Sequence, residues 1–229
     1  MSTKNTSQQQ QEVLFATRRQ VGHIEDLLTP DLELLPRSIA TLMIQNGGEV
    51  QDEFRPVITR LAEQFALATR VSHIIKPDVS LKTADDFRRV ITATGSSISD
   101  WSYDLFGRPG FTVNPSDEDV ELVELTMAQL TRKSNGGTTA EVFAGAGRLN
   151  LDKCLPDDGP RLRIQYQDQP VGELLLMGME PIADSDGYLY VFLVGLHGDG
   201  NRWLRTRLAH PGRVWGPGFR WLFRLRKSK

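Results

Sequence analysis

The chain holds one cysteine, Cys154, in 229 residues. That excludes an intrachain disulfide and a thiolate zinc cluster, and with them the disulfide-stapled secreted scaffolds. A reactive thiol needs a nearby base or helix N-terminus to lower its pKa. In Leu151-Asp-Lys-Cys-Leu-Pro156 the neighbours are largely apolar, and Cys154 reads as a small buried core residue. Long apolar runs are also missing: none approaches the roughly 18 to 20 residues that span a bilayer. The start, Met1 to Gln11, is polar and glutamine-rich, without the basic-then-apolar pattern of a secretory signal. The expectation is therefore a soluble, cytoplasmic protein with no membrane span.

Catalytic signatures are absent as well. The chain has no glycine-rich loop ending in Gly-Lys-Ser/Thr, no His-Glu-x-x-His and no Gly-x-Ser-x-Gly elbow. Gly195-Leu-His-Gly-Asp-Gly200 lacks dinucleotide spacing and lies between expected strands, so it reads as a turn and not a phosphate cradle. The four histidines, His23, His73, His197 and His210, are far apart in sequence. Of these, His197 and His210 sit in loops of one region and are the pair that can meet. No cofactor and no metal is implied, and no catalytic residue is assigned.

The last absence is local. Between Asn201 and Lys229 there is no acidic residue but nine Lys and Arg, a formal +9 in a chain whose net charge is −2, so the preceding residues carry −2 − 9 = −11. This asymmetry is the most informative feature of the composition.

Periodicity divides the chain at about residue 115. Val13, Thr17, Val21, Ile24 and Leu28 fall on one helical stripe. A second short helix is expected from Pro36 to Asn46. A third, over Asp52 to Ile75, carries Phe54, Ile58, Leu61, Phe65, Ala68, Val71 and Ile75 and is closed by Pro77. Thr83-Ala-Asp-Asp86 has the form of a capped helix start, leading into Phe87, Val90 and Ile91. Ile98, Trp101 and Leu105 make a further short apolar stripe. Together these predict a helical bundle over residues 1–115.

The second region, 116–229, reads as an α+β module. Asp119 to Met127 fits both periods and is read as a strand. Thr138-Thr-Ala-Glu141 is a capping box opening a helix. From Arg161 the period is two: Leu162, Ile164 and Tyr166 alternate with Arg161, Arg163 and Gln165. Further strands are expected at Glu173 to Met179, Tyr188 to Val194, Trp203 to Leu208 and Phe219 to Arg226. Turns at Asp168-Gln-Pro170, Asp184-Ser-Asp-Gly187, His197 to Asn201 and His210-Pro-Gly212 separate them. The predicted fold class is α+β: a helical N-terminal half followed by a C-terminal antiparallel β meander, an arrangement that can curl into a small barrel.

Leu162-Arg-Ile-Gln-Tyr-Gln-Asp-Gln-Pro170, Met179-Glu-Pro-Ile-Ala-Asp-Ser-Asp-Gly187 and Val191-Phe-Leu-Val194 resemble an uncharacterised bacterial protein family sharing an LRxQYxDQP…MEPIxDSDG…VFxV block. Ile98-Ser-Asp-Trp101 and Thr138 to Glu141 extend the resemblance over about Ile98 to Arg226. It implies no activity and transfers no functional residue.

Three functions compete. The leading expectation is a non-enzymatic binding or interaction module with an unknown protein partner. The second is a nucleic-acid binder whose surface is Arg202, Arg205, Arg207, Arg220, Arg224 and Arg226, interleaved with Trp203, Trp215, Phe219, Trp221 and Phe223 for base stacking. A winged helix-turn-helix variant over Asp119 to Leu149 places Glu141 and the lone base Arg148 on its recognition helix, a poor match to phosphate. Against both, alternating aromatics can face a core and leave arginines as a solvated face that guards a sheet edge. The third is a hydrolase using Asp184 and Asp186 with Glu180 nearby; the same aspartates suit an exposed hairpin turn, and the calcium-loop pattern fails.

Overall fold

A computed structural model describes residues 71–115 and 117–226. The chain divides into units Met1–Thr59 and Arg60–Lys229, and the described residues belong to the second. The helices expected before residue 71 lie outside them.

Local capping chemistry sets two of the helices. The Thr83 hydroxyl accepts a bond from the Asp86 amide, and the Asp86 carboxylate accepts one from the Thr83 amide, which opens α1 (Ala84–Ala93). Arg89 and the Thr83 side chain hold the Asp86 carboxyl down to about 2. The same box, Thr138 with Glu141, opens α4 (Thr139–Arg148). Here Lys133 and the Thr138 amide hold Glu141 at about 2. The remaining described helices are short: α2 (Asp100–Leu105), α3 (Met127–Thr131) and α5 (Asp158–Gln165).

The strands are β1 (Val71–Ile75), β2 (Ser97–Ile98), β3 (Val120–Thr126), β4 (Gly137–Thr138), β5 (Leu151–Asp152), β6 (Leu174–Met177), β7 (Ile182–Ala183), β8 (Leu189–Leu196), β9 (Arg202–Leu208), β10 (Val214–Trp215) and β11 (Arg220–Leu225). The main sheet runs β1-β3-β11-β6-β8-β9-β2, with β5 beside β11 and β7 beside β8; β4 and β10 pair separately. β11 is antiparallel to β3 but parallel to β6, and β2 is parallel to β9.

Helices cover both faces of this sheet. Phe143 of α4 meets Trp221 and Phe223 edge-on, both at 6.2 Å, on one face. On the other, Asp158 of α5 takes Arg224, while Phe106 and Phe111 pack on Phe192 and on Phe87 of α1. Covered on both sides, β8 reads as a continuous apolar run, buried from Val191 to Leu196. At Gly195 the ring of Trp203 stands 2.4 Å from where a Cβ would lie. Only glycine fits there. Likewise α4 approaches α3 at Gly145, where a Cβ would fall 2.0 Å from the Leu130 carbonyl oxygen.

The expected architecture is overturned in three respects. Val71 to Ile75, the end of the predicted third helix, is a strand on β3. Arg161 to Gln165, predicted as a strand, is helical. Its alternation of arginine and aliphatic residues imitates a strand because Arg161, Leu162 and Arg163 are all buried, on different sides of α5. Finally, the sheet is mixed and not a meander, since the last strand inserts between β3 and β6. A helical N-terminal half and a bundle are not supported: the longest described helices have ten residues. No described helix is long and apolar enough to cross a membrane.

Candidate functional site

The six arginines proposed from sequence do not form one surface. Arg202, Arg205 and Arg207 ride on β9, whereas Arg220 and Arg224 ride on β11 and Arg226 follows it; β6 and β8 lie between the two strands. Strands spaced about 4.8 Å apart put the two sets some 14 Å from each other. Arg220 pairs with Glu124 at 2.9 Å, and Arg226 with Asp152 at 2.5 Å. Arg224 grips Asp158 through Nε and Nη2, both at 2.6 Å. Asp158 is 0% exposed. Arg224 was expected on a solvated face; it is an internal clamp. The three on β9 bind no carboxylate among the described residues. Arg202 donates to the carbonyls of Gln167 and Thr94, each at 3.3 Å. Arg205 lies over the Trp203 ring at 4.7 Å and bonds the His197 ring. Arg207 is exposed. The aromatics expected to stack on bases are turned inward: Trp203, Trp215, Trp221 and Phe223 are buried, and Phe219 is half-buried.

The other sequence candidates also separate. His197 and His210 lie beyond opposite ends of β9, a span of roughly 23 Å at 3.3 Å per residue. His73 sits in β1 against Tyr166, not in a helix, and burial lowers its pKa. Asp184 and Asp186 form the expected turn, in which Asp184 Oδ1 accepts from the amides of Asp186 and Tyr188, both at 2.9 Å. Asp184 is not exposed as expected but 7% accessible, and its Oδ2 finds no hydrogen-bond partner among the described residues. Among the described residues no group of three or more His, Cys, Asp or Glu is arranged to hold a metal. Cys154 is buried, its thiol donates to the Leu222 carbonyl at 3.3 Å, and burial pushes its pKa well up.

Two arrangements were not foreseen. The first is a buried polar cluster at the start of α5. Asp157 takes Arg161 at 3.0 Å and the Asn114 amide at 2.9 Å, while Asp158 takes Arg224 and the Leu155 amide. Burial raises the Asp158 carboxyl against the pull of Arg224. The adjoining cleft, beside Ile75, Asn114, Arg161 and Arg224, measures about 10 Å³, room for a single water. Farther along α5, Arg163 is 0% exposed and donates to Gln169, Gly195 and Tyr166. Burial first, and Arg202 second, lower it to about 10. These groups hold distant segments together. Leu-Pro-Asp-Asp-Gly-Pro160, with acids and a proline in a first helical turn, was the missed signal.

The second is an aromatic platform. Trp101 of α2 stacks on Tyr190 of β8 with ring centroids 5.8 Å apart and planes at 20°. Trp101 is 55% exposed and Tyr188 57%. Tyr188 lies just before β8, within electrostatic range of Tyr190. Trp101, expected in a buried stripe with Ile98 and Leu105, is instead displayed; Leu105 alone of the three is fully buried. Sequence periodicity carries no signal for this, because a six-residue helix is too short to define a face. Comparison of the chain with family models, curated proteins and solved structures finds no match.

Proposed function

We propose that this protein is a non-enzymatic interaction module that engages a protein partner through the platform of Trp101, Tyr188 and Tyr190. The observation that carries this reading is the exposure of Trp101 and Tyr188, while Trp203, Trp215 and Trp221 are buried. Exposed aromatic rings bring a large apolar area to an interface at low conformational cost, and they are the residue types that dominate binding energy. A groove of about 480 Å³ toward the other end of β8, lined by Pro170, Val171, Glu173, Leu174, Gly218 and Arg220, carries no aromatic ring. In the cluster of Asp157, Asp158, Arg161 and Arg224 each carboxylate is held by an arginine.

Covalent proximity labelling of partners in cells of the source organism tests it, using the full chain, Trp101→Ala and an Arg205→Ala/Arg207→Ala control. A defined set of labelled proteins should be lost with Trp101→Ala and kept with the control. Trp101 is exposed, so its removal changes stability little. A labelling pattern indifferent to Trp101 overturns the proposal.

A further inference from the structure

We infer that the platform of Trp101, Tyr188 and Tyr190 receives an arginine- or lysine-bearing segment of its protein partner; this rests on the interaction reading above. The chain's other tryptophans show what such a ring accepts. Of four tryptophans, Trp203 carries Arg205 at 4.7 Å and Trp215 carries Arg213 at 5.2 Å. Trp221 is enclosed by Phe143 and Trp215. Beside the platform, Arg88 covers Tyr103 at 4.1 Å. Trp101 has Tyr190 against one face and no cation of the described residues over the other. The negative face of an indole attracts a guanidinium or ammonium, which fixes the sign of the missing group.

The surrounding charge has the same sign preference. Asp184 and Asp186 lie within electrostatic range of the Tyr190 phenol, whose pKa is raised by burial first and then by Asp184, Tyr188 and Asp186. Asp184 keeps one carboxylate oxygen buried without a partner. Asp186 and Asp100 are exposed, and neither forms an ion pair among the described residues. The nearby cation, Arg108, is already held in two-pronged fashion by Asp104. An aromatic face beside the exposed Asp100 and Asp186 favours a cationic side chain and repels an acidic one; Arg108 also draws on Asp184 and Asp186.

The test uses ¹⁵N-labelled full-length protein titrated with a short Gly-Ser-Arg repeat peptide, its Gly-Ser-Lys and Gly-Ser-Glu counterparts, and a neutral glucose oligomer. The Arg and Lys peptides should produce saturable shifts at the Trp101 indole N–H and the Tyr188 and Tyr190 amides, weakened by salt. Trp101→Ala should weaken binding about tenfold or more, and Asp186→Asn about threefold, with other resonances unmoved. Asp186 is a surface residue, so that variant reads charge without a folding defect. Shifts scattered over acidic residues at large, equal binding of the Glu peptide, or a response to the sugar alone would each overturn the inference. If no basic peptide binds yet proximity labelling still depends on Trp101, the cationic chemistry falls and the interaction module stands. If neither responds, both fall.

Discussion

β9, Arg-Trp-Leu-Arg-Thr-Arg-Leu208, and β11, Arg-Trp-Leu-Phe-Arg-Leu225, are near-copies in sequence and opposites in the fold. Each opens with Arg-Trp-Leu and buries its tryptophan and leucine. β11, however, lies between β3 and β6, flanked by acidic residues on β3, β5 and α5. Arg220 and Arg224, and Arg226 just beyond the strand, are thereby drawn into ion pairs. β9 lies between β8 and the two-residue β2, where its arginines meet carbonyls, a tryptophan face and solvent. The same side chain is a lock in one strand and a free charge in the other. Position in the sheet, not local sequence, makes the difference.

The tryptophans are the point on which the strands agree, and their loss should have the largest effect. Trp221→Ala is expected to cost about 3–5 kcal/mol in urea unfolding, as for a large buried aromatic. Trp203→Ala should fall in the same range. A neutral Trp203→Ala would mean that β9 is not packed as β11 is, which breaks the comparison at its base.

Arg224 should separate the strands most sharply. Arg224→Ala leaves Asp158 buried without its cation and is expected to cost about 3–5 kcal/mol, whereas Arg224→Met with Asp158→Leu should recover most of it. The loss should also depend on pH. A buried carboxyl raised above its unfolded pKa binds its proton more readily in the native state. Stability from this group therefore falls as pH rises through the interval between the unfolded value of 3.8 and the raised native one. The Arg224→Ala deficit should accordingly be smaller near the acid end of that interval than at neutral pH. A deficit independent of pH would place the lost energy in packing and not in the stranded charge.

Arg220 and Arg226 form exposed pairs, and their alanine variants should cost about 0–1 kcal/mol each, diminishing with salt. Arg205→Ala and Arg207→Ala should stay within about 0.5 kcal/mol. These two also test the anionic-polymer alternative. Binding to DNA or RNA at low salt should be weak and sequence-independent, with a salt slope that drops when the β9 arginines are removed and is unmoved by Arg220→Ala. A slope carried by β11 would mean that its ion pairs open to phosphate.

What was legible in the sequence was local. The Thr83 and Thr138 caps act over three residues, and the turn at Asp184 over four, so each could be read where it stood. β8 and β9 were legible because enough apolar residues fall together in each. Val71 to Ile75 was not, because a stripe of aliphatic residues at helical spacing continues through it until β3 supplies partners. Nor was α5: six residues of alternation, Arg161 to Tyr166, outweighed the acids and proline of its first turn. Among the candidate residues, the aromatics of β11 were rightly turned inward, while Arg224 and Trp101 were each placed on the wrong side of the surface.

The sequence by itself therefore determined the helix starts at Thr83 and Thr138, the turns, most strands of the second half and the inward aromatics, because these follow from backbone capping and side-chain period within a few residues. Only the tertiary structure decided that β11 lies inside a mixed sheet, that Arg224 reaches Asp158 across 66 residues of chain, and that Trp101 stacks on Tyr190. Those outcomes depend on which distant segments become neighbours. A strand carries the same alternation in the middle of a sheet as near its edge.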